Sequence, residues 1–271
     1  MIGTNDLIPE QPVLAMYMRH RRETLGLTQE DVARRMFVSL SMYRKLESGE
    51  RPLTANRLED WCAAMNAPVW LLEKMVSLAL PKLASVARGV WPPALRQEDL
   101  EHLESFPFPA YFHRFPEFEV LAANATARGA FTWLLPAPPD AERPTNLLEQ
   151  MMTSPEAQEV LINWETIVHR LLFAVRVLAP GIVAPERLAQ IVETCSANPE
   201  FERLWQTDMD EALFNDSLVL ARDPATGARM SFTIRTYNVY HPENCAYQLF
   251  TLTPRGNDTP SVDPHWSRGT E

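Results

Sequence analysis

The chain of 271 residues carries 25 Lys and Arg against 35 Asp and Glu, a formal net charge of −10, and 46% of its residues are hydrophobic. This length predicts two domains at ~100 to 200 residues each. No apolar run reaches the ~20 residues of a membrane span, and no signal peptide opens the sequence, so we expect a cytoplasmic protein. The cysteines Cys62, Cys195 and Cys245 are scattered, which disfavours a disulfide framework or a cysteine-rich zinc site.

Residues 28–49, TQEDVARRMFVSLSMYRKLESG, contain the start and stop signals of two short helices. Thr28 is a good N-cap and Asp31 follows three residues later, at the spacing of a capping box. Ser39 can cap a second helix, which Gly49 would end in a left-handed conformation. Two short helices with a tight corner are typical of helix-turn-helix DNA-binding domains, although bundles that touch no nucleic acid also contain them.

Apolar residues at steps of three and four predict further helices around this pair. One helix precedes it from Leu14 to Leu25, one follows the cap at Thr54, and a fifth covers residues 70–80. We therefore predict an all-α helix-turn-helix DNA-binding domain over residues 1–80. Its second motif helix, residues 39–48, would turn its polar side toward the DNA major groove.

Over residues 14–66 the chain resembles the Cro/repressor-like helix-turn-helix family, often called xenobiotic-response-element regulators. It departs from that family at Phe37, which stands where a glycine normally forms the corner. A phenylalanine there predicts either a different turn or a costlier backbone conformation. The resemblance implies that Arg22 and Glu47 form a structural ion pair and that Gln29 holds a phosphate.

The same resemblance implies that Leu40, Ser41 and Lys45 read base edges, with Arg44 beside them. A leucine can contact only an apolar group such as a thymine methyl, whereas Arg or Lys favours guanine acceptors. Tyr43 is interpreted first as a core residue, although its hydroxyl could reach a phosphate. The predicted DNA-contacting set is Gln29, Ser39, Leu40, Ser41, Tyr43, Arg44, Lys45 and Arg51.

The acidic net charge does not oppose DNA binding, because it is confined to the second part of the chain. Residues 1–80 hold ten Lys and Arg and ten Asp and Glu, so the remainder holds the other 15 and 25. DNA responds to the local field, and the basic residues of the first part cluster around the motif. This modest patch would make few phosphate contacts, so we expect a homodimer on double-stranded DNA with half-sites about 34 Å apart.

Residues 81–108 are predicted to be a linker with one helix, because prolines interrupt them repeatedly. Two aromatic and β-branched runs, 110–115 and 118–122, then predict a hairpin. A short helix over residues 126–135 and a proline-rich exposed loop over residues 136–144 follow. The second domain is therefore predicted to begin with strands at residue 109.

Helices and then strands fill the rest of the second domain. Apolar residues repeat over more than five turns of residues 156–178, which predicts one long core helix, and Pro185 and Pro199 start two more. A turn at residues 223–227 joins the first two of three strands. The strands are predicted over residues 217–221, 229–240 and 246–253.

Two strands before the helices and three after them predict a five-stranded antiparallel sheet with helices on one face, an α+β layout over residues 109–254. The polar tail, residues 255–271, is predicted to be disordered. The chain also carries a series of short landmarks, which are SMYRKLESGERP (41–52), FEVLAAN (118–124), NLL (146–148), NW (163–164), FERLW (201–205) and LFTLTP (249–254). By these landmarks it resembles the MmyB-like regulators, whose C-terminal domain is a PAS-like ligand-binding fold.

This resemblance implies a small, largely apolar effector, fatty acid-like in chemistry, between the sheet and the helices. Arg170, Arg176 and Asn124 are candidates to hold its carboxylate. For every apolar candidate, a place in the hydrophobic core is the alternative. The predicted ligand-binding set is Phe112, Asn124, Phe131, Trp133, Met152, Trp164, Val168, Leu172, Trp205 and Phe232.

Catalysis is not predicted from the sequence. The six histidines do not fall at metal-ligand spacing, and neither a nucleophile elbow nor a phosphate-binding glycine loop is found. We therefore expect no catalytic residue, no metal and no cofactor, apart from a bound fatty acid as effector. The remaining alternative is a second domain that serves dimerisation or partner-protein docking without any ligand.

Overall fold

The described part of the first domain, residues 14–80, consists of five helices, in agreement with the sequence. The computed structural model describes residues 14–80, 95–138, 141–209, 211–241 and 245–255 of the chain. Most of the predicted linker, residues 81–94, and the predicted disordered tail beyond residue 255 lie outside these ranges. The helices are α1 (Leu14–Thr24), α2 (Gln29–Arg35), α3 (Leu40–Glu47), α4 (Ala55–Ala64) and α5 (Val69–Ala79).

Local side-chain signals set the ends of α2 and α3. The amide of Asp31 donates to Thr28 Oγ1 at 3.1 Å, and the amide of Thr28 donates to Asp31 Oδ2 at 3.0 Å, which completes the capping box. Ser39 Oγ accepts a bond from the amide of Met42 at 3.1 Å. Gly49 follows α3 with a φ of 78°, a value that favours glycine. The predicted starts and stop of the two motif helices are confirmed.

The second domain is an α+β unit built on one antiparallel sheet. Its strands are β1 (Ala110–Arg114), β2 (Glu119–Ala123), β3 (Thr145–Asn146), β4 (Leu218–Arg222), β5 (Arg229–His241) and β6 (Cys245–Pro254). They lie in the order β3-β2-β1-β6-β5-β4, so the described residues form a sheet of six strands rather than the predicted five. The extra strand is the two-residue β3, which is too short to show the alternating pattern by which a strand is recognised.

Eight helices accompany this sheet in the described residues. They are α6 (Gln97–Glu104), α7 (Ala125–Ala130), α8 (Leu147–Thr153), α9 (Pro155–Val160), α10 (Trp164–Leu178), α11 (Pro185–Ser196), α12 (Phe201–Gln206) and α13 (Glu211–Phe214). The predicted long helix over residues 156–178 is divided into α9 and α10. The division arises from tertiary contacts, because Leu161 bridges Ala221, and Asn163 hydrogen-bonds the backbone of Leu218 and Leu220.

Helices cover both faces of the sheet, whereas the sequence predicted one covered face. The inner face packs on the large core that includes α8, α10, α11 and α12. On the outer face, Leu103 of α6 joins Phe112, Tyr247 and Leu249 in a separate cluster. The helix α6 lies within the stretch predicted as linker, and its packing shows that the second domain begins before residue 109.

The two domains meet along the C-terminal half of α10. Tyr17 donates its hydroxyl to the Val177 carbonyl at 2.6 Å. Lys74, which is only 2% exposed, donates its ammonium to the carbonyls of Leu178, at 2.8 Å, and Pro180. A cation at the C-terminal end of a helix is stabilised by the helix dipole. These contacts place α5 of the first domain beside α10 of the second.

Candidate functional sites

The outer face of α3 is the candidate DNA-contacting surface. Its side chains include two cations, and the ion pair between Lys45 Nζ and Glu50 Oε1, at 3.4 Å, is solvent-exposed and therefore weak. Ser39 and Arg51 are exposed at the two ends of this surface. The groove along it is lined by Leu40, Ser41, Arg44, Lys45, Ser48 and Glu50.

Tyr43 belongs to the core of the first domain and not to this surface. Its side chain is fully buried, and its hydroxyl donates to Glu47 Oε1 at 3.3 Å. Burial raises the pKa of Tyr43, so the phenol stays neutral. Because no part of the ring reaches solvent, we remove Tyr43 from the DNA-contacting set and retain the alternative that it is a core residue.

The buried carboxylate of Glu47 in α3 accepts hydrogen bonds from side chains of α1 and α2. Its carboxylate has no solvent exposure, and Arg22 Nε donates to Oε1 at 2.6 Å. The amide of Gln29 donates to Oε2 of the same carboxylate. The ion pair of Arg22 and Glu47 that the family resemblance implied is therefore confirmed as part of the scaffold.

Gln29 also reaches the candidate DNA-contacting surface. Its side-chain oxygen accepts a bond from Arg44 Nε at 3.3 Å, while its amide is held by Glu47. The Gln29 side chain thus positions Arg44. The contact of Gln29 with a DNA phosphate stays a prediction. Glu47 in the core is thereby connected to an exposed arginine through one intermediate side chain.

Phe37 at the corner adopts the costlier of the two alternatives that the sequence left open. Its φ is 54°, in the left-handed region that favours glycine, and its side chain is 95% exposed. A non-glycine residue in this region costs roughly 1 to 2 kcal/mol. The corner therefore keeps the geometry that a glycine would give, with an exposed phenyl ring two residues before the cap of α3.

The second candidate site is a cavity of about 650 Å³ between the inner face of the sheet and the helices. This volume falls within the ~300 to 1,000 Å³ typical of small-molecule sites. The strands β1 and β6 supply Tyr111, His113 and Phe250 to its wall, and α10 supplies Arg170 and Leu171. Most of the lining is apolar, as in sites that hold hydrophobic ligands.

Arg170 brings a positive charge to this wall. Its Nη1 donates to the backbone carbonyl of Asp216, and burial lowers the pKa of the guanidinium. An arginine in such a place is stabilised by an anionic partner, because burial disfavours an uncompensated charge. The carboxylate of Asp216, which also lines the wall, compensates part of this charge and favours the protonated guanidinium. Among the described residues, no group of three or more His, Cys, Asp or Glu side chains is arranged to hold a metal ion.

Several lining residues carry buried polar atoms without a hydrogen-bond partner among the described residues. These atoms are Trp70 Nε1, the Tyr111 hydroxyl and Trp133 Nε1. Burial lowers the pKa of His113 to about 4, so its ring is neutral at pH 7. The cavity wall thus combines the cation of Arg170 and the carboxylates of Glu73 and Asp216 with neutral hydrogen-bonding side chains.

Comparison with known families agrees with the two sites. The model described as "MmyB-like transcription regulator ligand binding domain" matches residues 95–261, which is more than half of the chain, and a helix-turn-helix domain model matches residues 13–74. The chain belongs to the MmyB-like transcription regulators. No curated protein and no solved structure matched it. Within the described ranges, the regulator has no helix with the length and apolar character that crossing a membrane requires.

Two of the ten residues predicted to bind a ligand in this MmyB-like regulator, Phe131 and Trp133, line the cavity. Their role in ligand binding stays a prediction. The other predicted residues are absent from the wall, and they are Phe112, Asn124, Met152, Trp164, Val168, Leu172, Trp205 and Phe232. The cavity is instead completed by residues that the sequence did not single out, such as Trp70, Tyr111, His113 and Phe118.

The alternation of side chains between the two faces of β1 explains why Phe112 was wrongly predicted to line the ligand cavity. Successive side chains of a strand point to opposite faces, so Tyr111 and His113 share one face and Phe112 takes the other. Phe112 packs in the outer cluster, with its ring 5.1 Å from that of Tyr247. The alternation was readable from the sequence, but both faces of this strand are buried, so nothing local showed which one met the cavity.

The orientation of α10 explains why two further residues, Val168 and Leu172, were wrongly predicted to line the ligand cavity. Ile167, Leu171 and Ala174 face the cavity, whereas Val168 and Leu172 are buried in the core. The apolar face of α10 is wide, and it packs on the sheet, on other helices and on the first domain. A helical period in such a segment predicts burial but does not distinguish a cavity wall from a filled core.

Asn124 has a structural role in place of the predicted contact with a ligand. Its Oδ1 accepts bonds from the amides of Ala110, at 3.1 Å, and Ala127, at 2.9 Å. Its Nδ2 donates to the carbonyls of Phe106, at 3.1 Å, and Phe108, at 2.9 Å. Because the fully buried amide is engaged on both sides, we remove it from the ligand-binding set.

Arg176 is also occupied elsewhere, unlike Arg170. Its Nη1 donates to the Trp205 carbonyl, and its Nη2 lies 2.9 Å from Asp208 Oδ1. It does not line the cavity. Of the three side chains predicted to hold a carboxylate in the regulator, Arg170 is the one that the fold brings to the cavity wall.

Proposed function

We propose that this regulator binds operator DNA through α3 and a small amphipathic effector in the cavity, and that each binding changes the affinity for the other. The observation that best supports DNA binding is the polar outer face of α3. Ser41, Arg44 and Lys45 are exposed, while Tyr43 and Leu46 anchor the opposite side in the core. A helix supported in this way can enter the major groove without losing its own packing.

Each exposed residue has a contact that its chemistry favours. Arg44 and Lys45 can donate to guanine O6 and N7 or to phosphates, and Leu40 can touch a thymine methyl. Gln29, Ser39, Ser41 and Arg51 then contribute to phosphate or base-edge contacts around them. One domain offers few such contacts, so we propose a cytoplasmic homodimer that occupies two half-sites about 34 Å apart.

The proposed effector is fatty acid-like, with an apolar chain and an acidic head. The chain fits among Phe118, Phe131 and Trp133, and Arg170 supplies the cation for the head. Ligand sites of this size are mostly apolar with a few polar anchors, which is the composition of this wall. The PAS-like character of the domain remains a prediction of the family resemblance, and the homodimer remains a prediction from the few phosphate contacts that one domain can make.

Replacing both Arg44 and Lys45 with alanine should raise the Kd for operator DNA at least about five-fold, a loss of more than ~1 kcal/mol. Both side chains are exposed, so the thermal midpoint should change little. The operator is first selected from random DNA fragments, and its affinity is then measured by fluorescence anisotropy. Alanine at the exposed Arg222, at the end of β4, is the matched control and should leave the Kd unchanged.

A loss of folding in the double variant would show that the outward face of α3 was wrongly assigned. An unchanged Kd with an intact fold would show that α3 does not contact the operator. Either result contradicts the DNA-binding arrangement proposed for this helix.

The effector is tested by mass spectrometry of the purified and then denatured protein. A co-purified fatty acid is the expected result, and added fatty acid should change the operator Kd by the same factor by which operator changes the fatty acid Kd. If no lipid is present and no fatty acid binds, the alternative of a docking or dimerisation domain is favoured. If both bind without affecting each other, the proposed regulation is wrong although both sites are real.

A further inference from the structure

We propose that the DNA-binding domain forms part of the effector site, with Trp70 of α5 as the residue that the effector contacts. This inference rests on the proposed function and specifies how the two sites are connected. The cavity wall includes Pro68, Val69, Trp70 and Glu73 from the first domain, although the rest of the wall belongs to the second. An effector in the cavity therefore lies against both domains at once.

Aromatic contacts hold Trp70 in this position. Its ring meets Phe173 of α10 edge-on, with centroids 6.4 Å apart, and Phe214 of α13 with centroids 5.6 Å apart. Phe173 and Phe214 also contact each other at 5.4 Å. The residue after Trp70, Leu71, is buried in the core of the first domain. Movement of the indole ring is thus coupled to the helix that carries it.

The charged part of the cavity lies at this boundary between domains. Arg170 donates to the Asp216 carbonyl, and Asp216 lies two residues after Phe214, which touches Trp70. The deeper wall is formed by buried apolar residues such as Phe118, Phe131 and Met151. An acid that enters with its chain inward would therefore leave its head at Arg170, on the side of the cavity where α5 lies. Glu73 of α5 and Asp216 also line the wall, so the pairing of the head with Arg170 has to offset their like charges.

The indole nitrogen of Trp70 gives a second reason to assign it to the site. Trp70 Nε1 is buried and has no hydrogen-bond partner among the described residues. A buried donor of this kind is costly unless it is paired, and an oxygen of the effector head would pair it. Binding would then stabilise the arrangement of domains in which Trp70 lies in the cavity wall. The ligand moves the domain equilibrium by the difference between its affinities for the two arrangements.

The proposal is tested with palmitic acid and the full-length chain in isothermal titration calorimetry. Trp70→Ala should weaken palmitate binding at least ten-fold, and Trp70→Phe, which keeps an aromatic ring but lacks the N–H donor, should weaken it a few-fold. Phe131→Ala, in the deep wall, should also weaken it. Leu72→Ala is the matched control, because Leu72 lies on α5, is exposed and is not part of the wall. Thermal melting of each variant verifies the fold.

Each outcome has a distinct meaning. If palmitate binds the unaltered chain and Phe131→Ala weakens it, but both Trp70 variants bind as tightly as the unaltered chain, the shared wall is overturned and the proposed effector class stands. If Leu72→Ala weakens binding as much as Trp70→Ala, the effect belongs to α5 in general and the assignment of Trp70 is overturned. If the unaltered chain binds no palmitate, the proposed fatty acid-like effector fails together with this assignment.

Discussion

Replacing Arg22 with methionine should destabilise the DNA-binding domain by about 3 to 5 kcal/mol, because it leaves the carboxylate of Glu47 buried without its cation. Arg22 Nε lies 2.6 Å from Glu47 Oε1, and the glutamate side chain has no solvent exposure. Gln29 and Tyr43 would still donate hydrogen bonds to this carboxylate, but neither supplies a charge. A loss of this size is a large part of the total stability of most domains.

Hydrogen exchange of the amides in residues 14–80, followed by mass spectrometry, measures this loss separately from the second domain. The double variant Arg22→Met with Glu47→Leu should recover a large part of it, since replacing both charges with apolar groups removes the uncompensated one. Arg34→Ala is the control, because Arg34 pairs with Asp31 at 3.7 Å on the surface and its loss should cost less than ~1 kcal/mol. A similar effect of Arg22→Met and Arg34→Ala would contradict a buried charge at Glu47.

The chain should lose roughly 3 kcal/mol of stability through His113 as the pH falls from 6.5 to 4. Burial keeps this ring neutral in the folded state and lowers its pKa to about 4, whereas the unfolded chain binds the proton near the ordinary value of 6.5. The unfolded state therefore takes up protons first, and acid favours it. The contribution is complete above pH 6.5 and is lost progressively down to pH 4.

The variant His113→Phe should show a smaller loss of stability over this pH interval. A phenyl ring can keep the stacking on Phe118, at 6.1 Å, and the edge contact with Phe250, at 5.5 Å. Urea unfolding at a series of pH values measures the effect, and His20→Gln, at an exposed position of α1, is the control. If the variant and the unaltered chain respond equally to acid, His113 is not held neutral in the cavity wall.

The first domain could be predicted closely because its signals are local. The caps at Thr28 and Ser39 act on amides three residues away, and Gly49 acts on its own backbone. The ion pair of Arg22 and Glu47 came from the family resemblance, and the structure confirmed it. Tyr43 was the exception, since a helical position near the groove fitted both a core role and a surface role until its burial was known.

The candidate cavity could not be predicted closely because its wall depends on long-range packing. Phe112 and Tyr111 are neighbours in β1, yet they lie on opposite faces, and a sequence pattern cannot say which face meets the helices. Similarly, the interruption between α9 and α10 has no proline or glycine to announce it. It depends on the contacts of Leu161 and Asn163 with β4, more than fifty residues away in the chain.

Short-range signals and ordered landmarks in the chain were enough to predict the helix-turn-helix motif, the order of most helices and strands, and the resemblance to a family of ligand-binding regulators. The six strands of the described sheet, the place of Tyr111 and His113 in the cavity wall, and the contribution of Trp70 to that wall became known from the folded structure. These features depend on contacts between residues that are distant in the chain, such as Trp70 with Phe214, and such contacts are fixed when the two domains pack together.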